Sequence, residues 1–418
     1  MLQLHRARLP RAVLIISLVS FFNDVASDMV IPLLPLLLTG SVGGGAIALG
    51  LVEGTADAVA SAMRLWSGKR SDQLGSGRKP LALWGYLLSN AVRPFLGLVS
   101  AWWGMLVLRA IDRVGKGVRS APRDALLVDI TPSHQRGQAF GMHRAFDNAG
   151  AVIGALLAAW VLSQPGADVR TVVMWSALPG VIAVLIFAFG VKEPSPASRS
   201  VSGKPIADDV TPLIASENVR SIRPKYFFYS HFLQQNSKLK SYLVALLLFT
   251  LSRSSETFIV LRGHELGMSA SILLMLWAGL NAVKSLAAHL GGGWADHDGR
   301  LVVLRVSWLG SALASIGLAI ASSAEVLVLV ALLGSLPLGL GEGAERAYIA
   351  DLSPDQQRGT AYGWYNLTTG AAAIPAGLLF GGLWHYAGAP VAFVVAALFG
   401  FSALFLLPNS STEASQNT

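Results

Sequence analysis

Ionisable side chains recur at helical spacing inside apolar stretches of this sequence. One such stretch, 104–128, carries most of its charges at steps of three or four residues, which places them along one stripe of a helix. An ionisable residue at bilayer depth is costly unless it faces a cavity or a charged partner. Lipid cannot cover such a stripe, so it predicts a polar interior. The stripe consists of Arg109, Asp112, Arg113, Lys116, Arg119 and Arg123.

The excess of arginine on this stripe favours an anionic ligand. The guanidinium group keeps its charge and binds carboxylates and phosphates through two parallel hydrogen bonds. Carboxyl groups in other apolar stretches suit a second chemistry, because a carboxyl group in a low-dielectric cavity can exchange a proton near neutral pH. We therefore expect an anionic or zwitterionic substrate. We also expect proton exchange at Asp24, Asp28, Glu53 or Glu256.

Structural roles compete with binding roles for each of these charges. Asp112 could pair with Lys116 one turn away, and Glu345 could pair with an arginine across the bundle. Ion pairs of this kind occur in structural networks as well as in binding sites. Both roles stay open, and one substitution separates them for Arg109. If that residue binds the anionic ligand, Arg109→Ala abolishes the protein's activity without unfolding it.

Long apolar helices are the elements that position these side chains. The chain is 53% hydrophobic and only 13% charged, whereas roughly 25% of residues are charged in an ordinary soluble domain. A helix needs about 20 residues to cross the hydrocarbon core of a membrane. Twelve windows of that size occur, at 12–38, 46–67, 80–100, 104–128, 137–163, 171–191, 240–262, 269–290, 301–322, 326–350, 360–384 and 389–408.

Basic residues are concentrated in alternate loops between these windows. This asymmetry predicts that the basic loops and both termini face the cytoplasm. A polar stretch rich in Ser, Pro and Lys follows the sixth window and has the composition of a linker. The predicted domains are a first six-helix bundle at 1–191, a cytoplasmic linker at 192–239, a second six-helix bundle at 240–408 and a cytoplasmic tail at 409–418.

The two halves carry matching motifs in the same order, which indicates a duplicated six-helix unit. DITPSHQRGQAFG, at the end of the fourth window, returns as DLSPDQQRGTAYG 222 residues later. GKRSDQLG, after the second window, returns as GGWADHDG 224 residues later. More weakly, FFNDVASDM in the first window matches FTLSRSSET in the seventh, so that Asp28 corresponds to Glu256.

These motifs resemble those of the major facilitator superfamily. GKRSDQLGSGRK, at 68–79, is similar to its loop motif between the second and third helices, with Gln73 in place of a basic residue. Arg109 followed by Asp112 is similar to its fourth-helix motif, and PSHQRGQAFG to the loop motif that comes next. The resemblance implies an all-α membrane protein with twelve transmembrane helices in two six-helix bundles related by an internal repeat. It also implies secondary active transport by alternating access.

The resemblance also predicts which residues line the binding cavity and which form the gates. In the superfamily the first, fourth, seventh and tenth helices line a central cavity, and substrate binds between the repeats. Short loops between helices serve as gates. The expected substrate or proton-binding residues are Asp24, Asp28, Glu53, Asp57, Arg109, Asp112, Arg113, Arg253, Glu256 and Glu342. The expected gating residues are Asp72, Arg78, Arg136, Asp296, Arg300 and Arg358.

Three functions compete on these observations. The sequence favours a proton-coupled carrier of a small organic anion or a carboxylate-bearing metabolite, up to the size of a siderophore. A proton-driven exporter of lipophilic drugs is the second hypothesis, which the membrane-buried acids favour and the arginine excess opposes. A non-transporting membrane sensor is the third, and the two-fold repeat with its paired gating motifs disfavours it.

The sequence lacks the residues that several other kinds of chemistry require. Cysteine is absent, which excludes disulfides and thiolate chemistry. No P-loop, GxSxG or HExxH pattern occurs, and His264 with Met268 lacks further ligands for a metal. We therefore expect no enzyme, no metal and no cofactor. We expect a monomer in the bacterial inner membrane, with an organelle membrane as the alternative, whose partners are lipid, protons and a small molecule and not nucleic acid.

Overall fold

The computed structural model describes residues 9–40, 43–73, 78–131, 136–192, 237–253, 256–352 and 358–407. Helices are the only regular secondary structure in these residues. The predicted tail and nearly all of the predicted linker lie outside them, so the domain boundaries stay a prediction.

The described helices follow the twelve predicted windows closely. In the first half they are α1 (Arg11–Asp28), α2 (Leu34–Thr39), α3 (Gly45–Gln73), α4 (Arg78–Val92), α5 (Trp102–Asp129), α6 (Arg136–Leu162), α7 (Val169–Trp175) and α8 (Ala177–Leu185). In the second half they are α9 (Ser237–Ser252), α10 (Thr257–Glu265), α11 (Ala270–Asp298), α12 (Arg300–Ile320), α13 (Ala324–Asp351), α14 (Arg358–Ala387) and α15 (Ala389–Leu406).

Ten helical segments in the described residues are long and apolar enough to cross a membrane. Two further predicted spans depart from this pattern for identifiable reasons. The helix α4 has 15 residues and continues as a 3₁₀ helix, Arg93–Leu98. The helix α5 has 28 residues but carries the charged stripe. With these two, the helices account for the twelve spans of the predicted fold.

Two spans are broken at matching positions of the repeat. The helix α1 ends at Asp28, and a 3₁₀ turn, Ile31–Leu33, leads into α2. Pro32 explains this break, because proline lacks an N–H and its ring clashes with the preceding turn of a helix. In the second half α9 ends at Ser252 and α10 begins at Thr257.

The two halves are joined at one end of the bundle and separate at the other. We call the end at which α1 begins the near end and the opposite end the far end. One apolar core at the far end contains residues of both halves, among them Leu49, Leu273 and Phe380. At the near end each half has a core of its own, around Tyr86 in the first and Trp308 in the second. The space between the halves therefore opens toward the near end.

Small residues allow the halves to meet at the far end, where α3 packs on α14. Gly50 lies backbone to backbone with Gly377, and Gly54 lies against the backbone of Ala373. A side chain at either α3 glycine would overlap the partner helix. Close approach through small residues is a common way for membrane helices to gain van der Waals contact.

We expect Gly377→Ala to weaken this junction. The added methyl group would meet the Gly50 carbonyl, and overpacking of this kind costs about 1–3 kcal/mol. The midpoint of thermal unfolding in detergent should therefore fall below that of wild type. Gly382→Ala is the matched control, because open space surrounds Gly382 on the same helix. Equal midpoints for the two variants would contradict the described packing of α3 on α14.

Candidate functional site

A cavity of about 1210 Å³ lies between the two halves. It is larger than the roughly 300–1,000 Å³ of common ligand pockets. Its wall comes from α1, α3, α5 and α6 in the first half and from α9 to α14 in the second. The shared apolar core closes the far end, so a ligand reaches the cavity from the near end.

Basic side chains outnumber acidic ones on the cavity wall. Among the wall residues that the structure describes, eight bases face six acids, and all but three of these charges belong to the first half. With the groups in their ordinary charge states the wall is net positive, and such a field attracts anions. The bases are Arg64, Arg113, Lys116, Arg119, Arg123, Arg144, Arg253 and Arg346, and the acids are Asp24, Glu53, Asp57, Asp124, Asp147 and Glu256.

The wall that belongs to the second half has a different character. It presents aromatic rings and hydroxyl groups, with few charges between them. The rings are those of Phe258, Trp277, Tyr362, Tyr365 and Phe380, and the hydroxyl groups include those of Thr250, Ser252, Thr257, Ser311, Ser315, Ser335 and Thr369. A bound molecule therefore meets charge on one side and rings with neutral polar groups on the other.

The stripe on α5 supplies the largest group of charges from a single helix. Arg113, Lys116, Arg119 and Arg123 all line the cavity. Arg113 and Arg119 are only 5% and 4% exposed. Nε of each, and Nη1 of Arg119, have no hydrogen-bond partner among the described residues, although the Arg119 guanidinium lies 5.0 Å from the centre of the Tyr86 ring. Guanidinium groups in the wall of a cavity suit a carboxylate or a phosphate.

Arg109 and Asp112 lie behind this wall in a buried network. Arg109 contacts Asp112 at 3.2 Å and Glu53 at 3.3 Å. Asp112 also accepts hydrogen bonds from Arg93 at 3.4 Å and from the Ser89 hydroxyl at 2.5 Å. Arg109 and Asp112 are both absent from the cavity wall among the described residues. In this conformation they belong to a structural network, and their part in substrate or proton binding stays a prediction.

Close packing of α4 on α5 explains why this part of the stripe is buried. Gly115 lies against the backbone of Gly85, which leaves no room for a cavity at this level. Asp112 therefore pairs with Arg93 across the two helices, and not with Lys116 as the sequence allowed. Sequence reasoning overlooked Arg93, although an ionisable residue in the apolar window 80–100 is a signal for such a network.

The other expected binding residues divide between the cavity and its surroundings. Asp28 accepts a hydrogen bond from Trp277 at 2.9 Å, and Glu342 is exposed on α13. Neither of these acids is on the described cavity wall. Arg253 lies 3.9 Å from Glu345, which gives this acid the arginine partner that the sequence allowed. The expected residues that do line the cavity are Asp24, Glu53, Asp57, Arg113, Arg253 and Glu256.

Two ion pairs at the near end occupy matching positions in the repeat. Arg78 at the start of α4 contacts Asp129 at the end of α5 at 2.6 Å. Arg300 at the start of α12 contacts Asp351 at the end of α13. Each pair lies within one half, so in this conformation it braces neighbouring helices, and the gating role stays a prediction. The remaining expected gating side chains lie outside those described: Asp72, Arg136, Asp296 and Arg358.

Comparison with known proteins finds relatives over the whole chain. The family model of the Major Facilitator Superfamily matches residues 16–290 and 261–418. An uncharacterised MFS-type transporter of Methanocaldococcus jannaschii is 30% identical over 382 residues, which cover 90% of this chain and 89% of that protein. The multidrug resistance protein MdtH of Yersinia enterocolitica is 29% identical over 134 residues, which cover 32% of this chain and 33% of that protein.

Solved structures share the fold at low identity. A bacterial homologue of the human lysosomal transporter Spinster, in an inward-facing and occupied conformation, matches with a TM-score of 0.73 at 13% identity and 95% coverage of each chain. The nucleoside transporter NupG matches with a TM-score of 0.70 at 12% identity, with 95% of this chain and 98% of that chain covered. Because the family model spans nearly the whole chain and the described fold agrees with it, this integral membrane protein belongs to the major facilitator superfamily of transporters.

Proposed function

We propose that this protein is a proton-coupled secondary carrier of organic anions that works by alternating access. One observation carries the proposal: Arg113, Lys116 and Arg119 lie together on α5 in the cavity wall. A carboxylate or phosphate group pairs with such side chains, whereas a cation does not. The excess of bases over acids around the cavity also favours a negatively charged substrate.

The near end faces the cytoplasm in this proposal. Helices begin there with basic residues, including Arg11, Arg78 and Arg300, and basic segments favour the cytoplasmic side of a membrane. The cavity then opens inward, and the joined far end is the closed outer gate. The proposed location is the inner membrane of a bacterium, with both termini in the cytoplasm.

The two walls of the cavity suit different parts of one substrate. The anionic group lies toward α5, where the arginines are. The second-half wall offers rings such as Phe258, Tyr365 and Phe380, which bury large apolar areas and stack with other rings. We therefore propose a substrate with a carboxylate or phosphate on an aromatic or apolar body. The cavity of about 1210 Å³ admits a molecule as large as a siderophore.

Drug export is the second candidate function. Six acids line the cavity, and the similarity to MdtH extends over about a third of the chain. A lipophilic cation would pair with Asp24 or Asp57 and stack on the aromatic wall. The larger number of bases disfavours this candidate. A non-transporting sensor is the third candidate. It would bind its ligand but show no flux across a membrane, which distinguishes it from both kinds of carrier.

The transport test uses purified protein in liposomes that contain a pH dye. Aromatic carboxylates, aliphatic carboxylates and lipophilic cations are added in separate panels. We expect proton movement with aromatic carboxylates and a loss of roughly tenfold or more in Arg113→Gln, because a charge-assisted hydrogen bond contributes about 1.5–3 kcal/mol. Arg170→Gln, which changes an exposed arginine at the far end, should behave as wild type.

Two results of this assay would overturn the anion proposal. One is a response to lipophilic cations alone, which would favour drug export. The other is an unchanged response to aromatic carboxylates in Arg113→Gln. Arg113→Lys adds a finer test, because lysine keeps the charge and loses the two-pronged guanidinium group. Its activity should fall between those of wild type and Arg113→Gln.

The buried network changes what Arg109→Ala is expected to do. Without Arg109, the Asp112 and Glu53 carboxylates lose a buried partner, and breaking a buried ion pair costs about 3–5 kcal/mol. We expect the thermal midpoint and the transport rate to fall together in this variant. In Arg113→Gln the rate should fall while the midpoint changes little. A stable Arg109→Ala protein that has lost transport would instead return Arg109 to the binding site.

A further inference from the structure

Two carboxylates lie at the broken spans of the two repeats. Asp28 is the last residue of α1, and Glu256 directly precedes α10. The repeat in the sequence aligns these two acids. Both accept hydrogen bonds from α11, Asp28 from Trp277 and Glu256 from Lys284. Trp277 and Lys284 are seven residues, or about two turns, apart and so share one face of α11.

The two carboxylates differ in the charge of their hydrogen-bond donors. Lys284 contacts both oxygens of Glu256, at 2.7 and 2.6 Å, and all of these groups belong to the second half. Asp28 belongs to the first half and accepts from the neutral indole N–H of Trp277 at 2.9 Å. It has no ion-pair partner among the described residues. The Asp28–Trp277 hydrogen bond therefore joins the halves around a carboxylate that contacts no cation at ion-pair distance among the described residues.

The surroundings of Asp28 make its charge costly in this conformation. Asp28 is 8% exposed and Trp277 is 6% exposed. The next two residues of the chain, Met29 and Val30, belong with Trp277 to the far-end core that the halves share. Among the charged groups that act on Asp28, Asp24 on its own helix disfavours the carboxylate, whereas the more distant Arg113 and Lys116 on α5 and Lys284 on α11 favour it. Burial and Asp24 therefore oppose the charge, and no cation of the described residues contacts the carboxylate directly.

We propose that Asp28 is the proton-binding site that couples the proton to closure of the far end, an inference that rests on the proposed proton-coupled transport. Opening the far end would separate α1 from α11 and hydrate the carboxylate. Asp28 would then take a proton from water on that side. Burial favours the neutral carboxylic acid over the carboxylate, so the proton favours the closed far end.

The proton leaves on the other side of the membrane. Trp277 lines the cavity that opens at the near end, so the Asp28 proton is released toward that water. The carboxylate that remains keeps the indole N–H as its hydrogen-bond donor. Because the closed form binds the proton in preference to the open form, a fall in pH must shift the population toward closure.

The absence of cysteine allows a direct measurement of closure. Gln164→Cys and Ser322→Cys place spin labels on exposed far-end positions, one in each half. The distance between the labels is measured in lipid without substrate, from about pH 8 to about pH 5, the range in which a buried carboxyl group titrates. We expect the ratio of short to long distances to rise by about tenfold or more as the pH falls.

Two substitutions test whether Asp28 causes this response. Asp28→Asn imitates the protonated acid, so the short distance should dominate at every pH. Trp277→Phe keeps a ring but removes the N–H, which leaves the buried carboxylate without its donor. The short distance should then be lost at high pH and recovered at low pH. A response like that of wild type in Asp28→Asn, or no response in the wild-type background, would overturn the proposal.

A second indole–carboxylate bond provides a matched control. Trp384 on α14 donates to Glu265 on α10 at 2.8 Å, so this bond lies within the second half. Glu265→Gln and Trp384→Phe should keep the pH response of the label distance. If they abolish it as Asp28→Asn does, the effect is not specific to the bond between the halves, and the proposal fails.

The distance measurement does not depend on the identity of the substrate. If anions drive proton movement in liposomes but Asp28→Asn keeps the pH response, Asp28 loses its role and the proposed carrier function stands. If Asp28→Asn is fixed in the closed form but no anion drives proton movement, the proton site stands and the proposed substrate class is wrong.

Discussion

The cost of placing charge inside a membrane constrains the whole structure. Each ionisable side chain at bilayer depth must find water, a counter-ion or a hydrogen-bond donor. Lys116 meets this requirement by lining the cavity, and Arg123 lines the cavity and also pairs with Asp124. Arg109 meets it through the carboxylates of Asp112 and Glu53. A single helix, α5, thus supplies both a binding surface and a structural network, and packing against its neighbours decides which residue serves which purpose.

Packing at the far end determines which end of the cavity is closed. Gly50 and Gly377 let α3 and α14 approach closely, and an apolar core common to both halves closes the bundle there. At the near end the cores are separate. The cavity is consequently open on one side only, as the proposed alternating access requires. The Asp28–Trp277 bond lies at the border between the closed core and the open cavity, a suitable place for a proton to influence closure.

The sequence was sufficient to predict the fold and the stripe of charges on α5. Long apolar windows and repeated motifs each leave a local signal, and the stripe on α5 follows from helical spacing alone. The positions of Arg109 and Asp112 could not be predicted in this way. Their burial depends on the contact of Gly115 with Gly85 on another helix, and spacing within one helix does not show how its neighbour packs. The hydrogen bond from Trp277 could not be predicted either, because its partner Asp28 is 249 residues away in the sequence.

The central claim is that the cavity binds anions with an aromatic or apolar body, and ligand-induced stabilisation tests it most directly. A molecule that binds the folded state raises the midpoint of thermal unfolding. The midpoint of the purified protein is measured with aromatic carboxylates and, separately, with lipophilic cations of similar size. Our account predicts a rise with the carboxylates that disappears in Arg113→Gln. A rise with the cations alone, unaffected by Arg113→Gln, would contradict it.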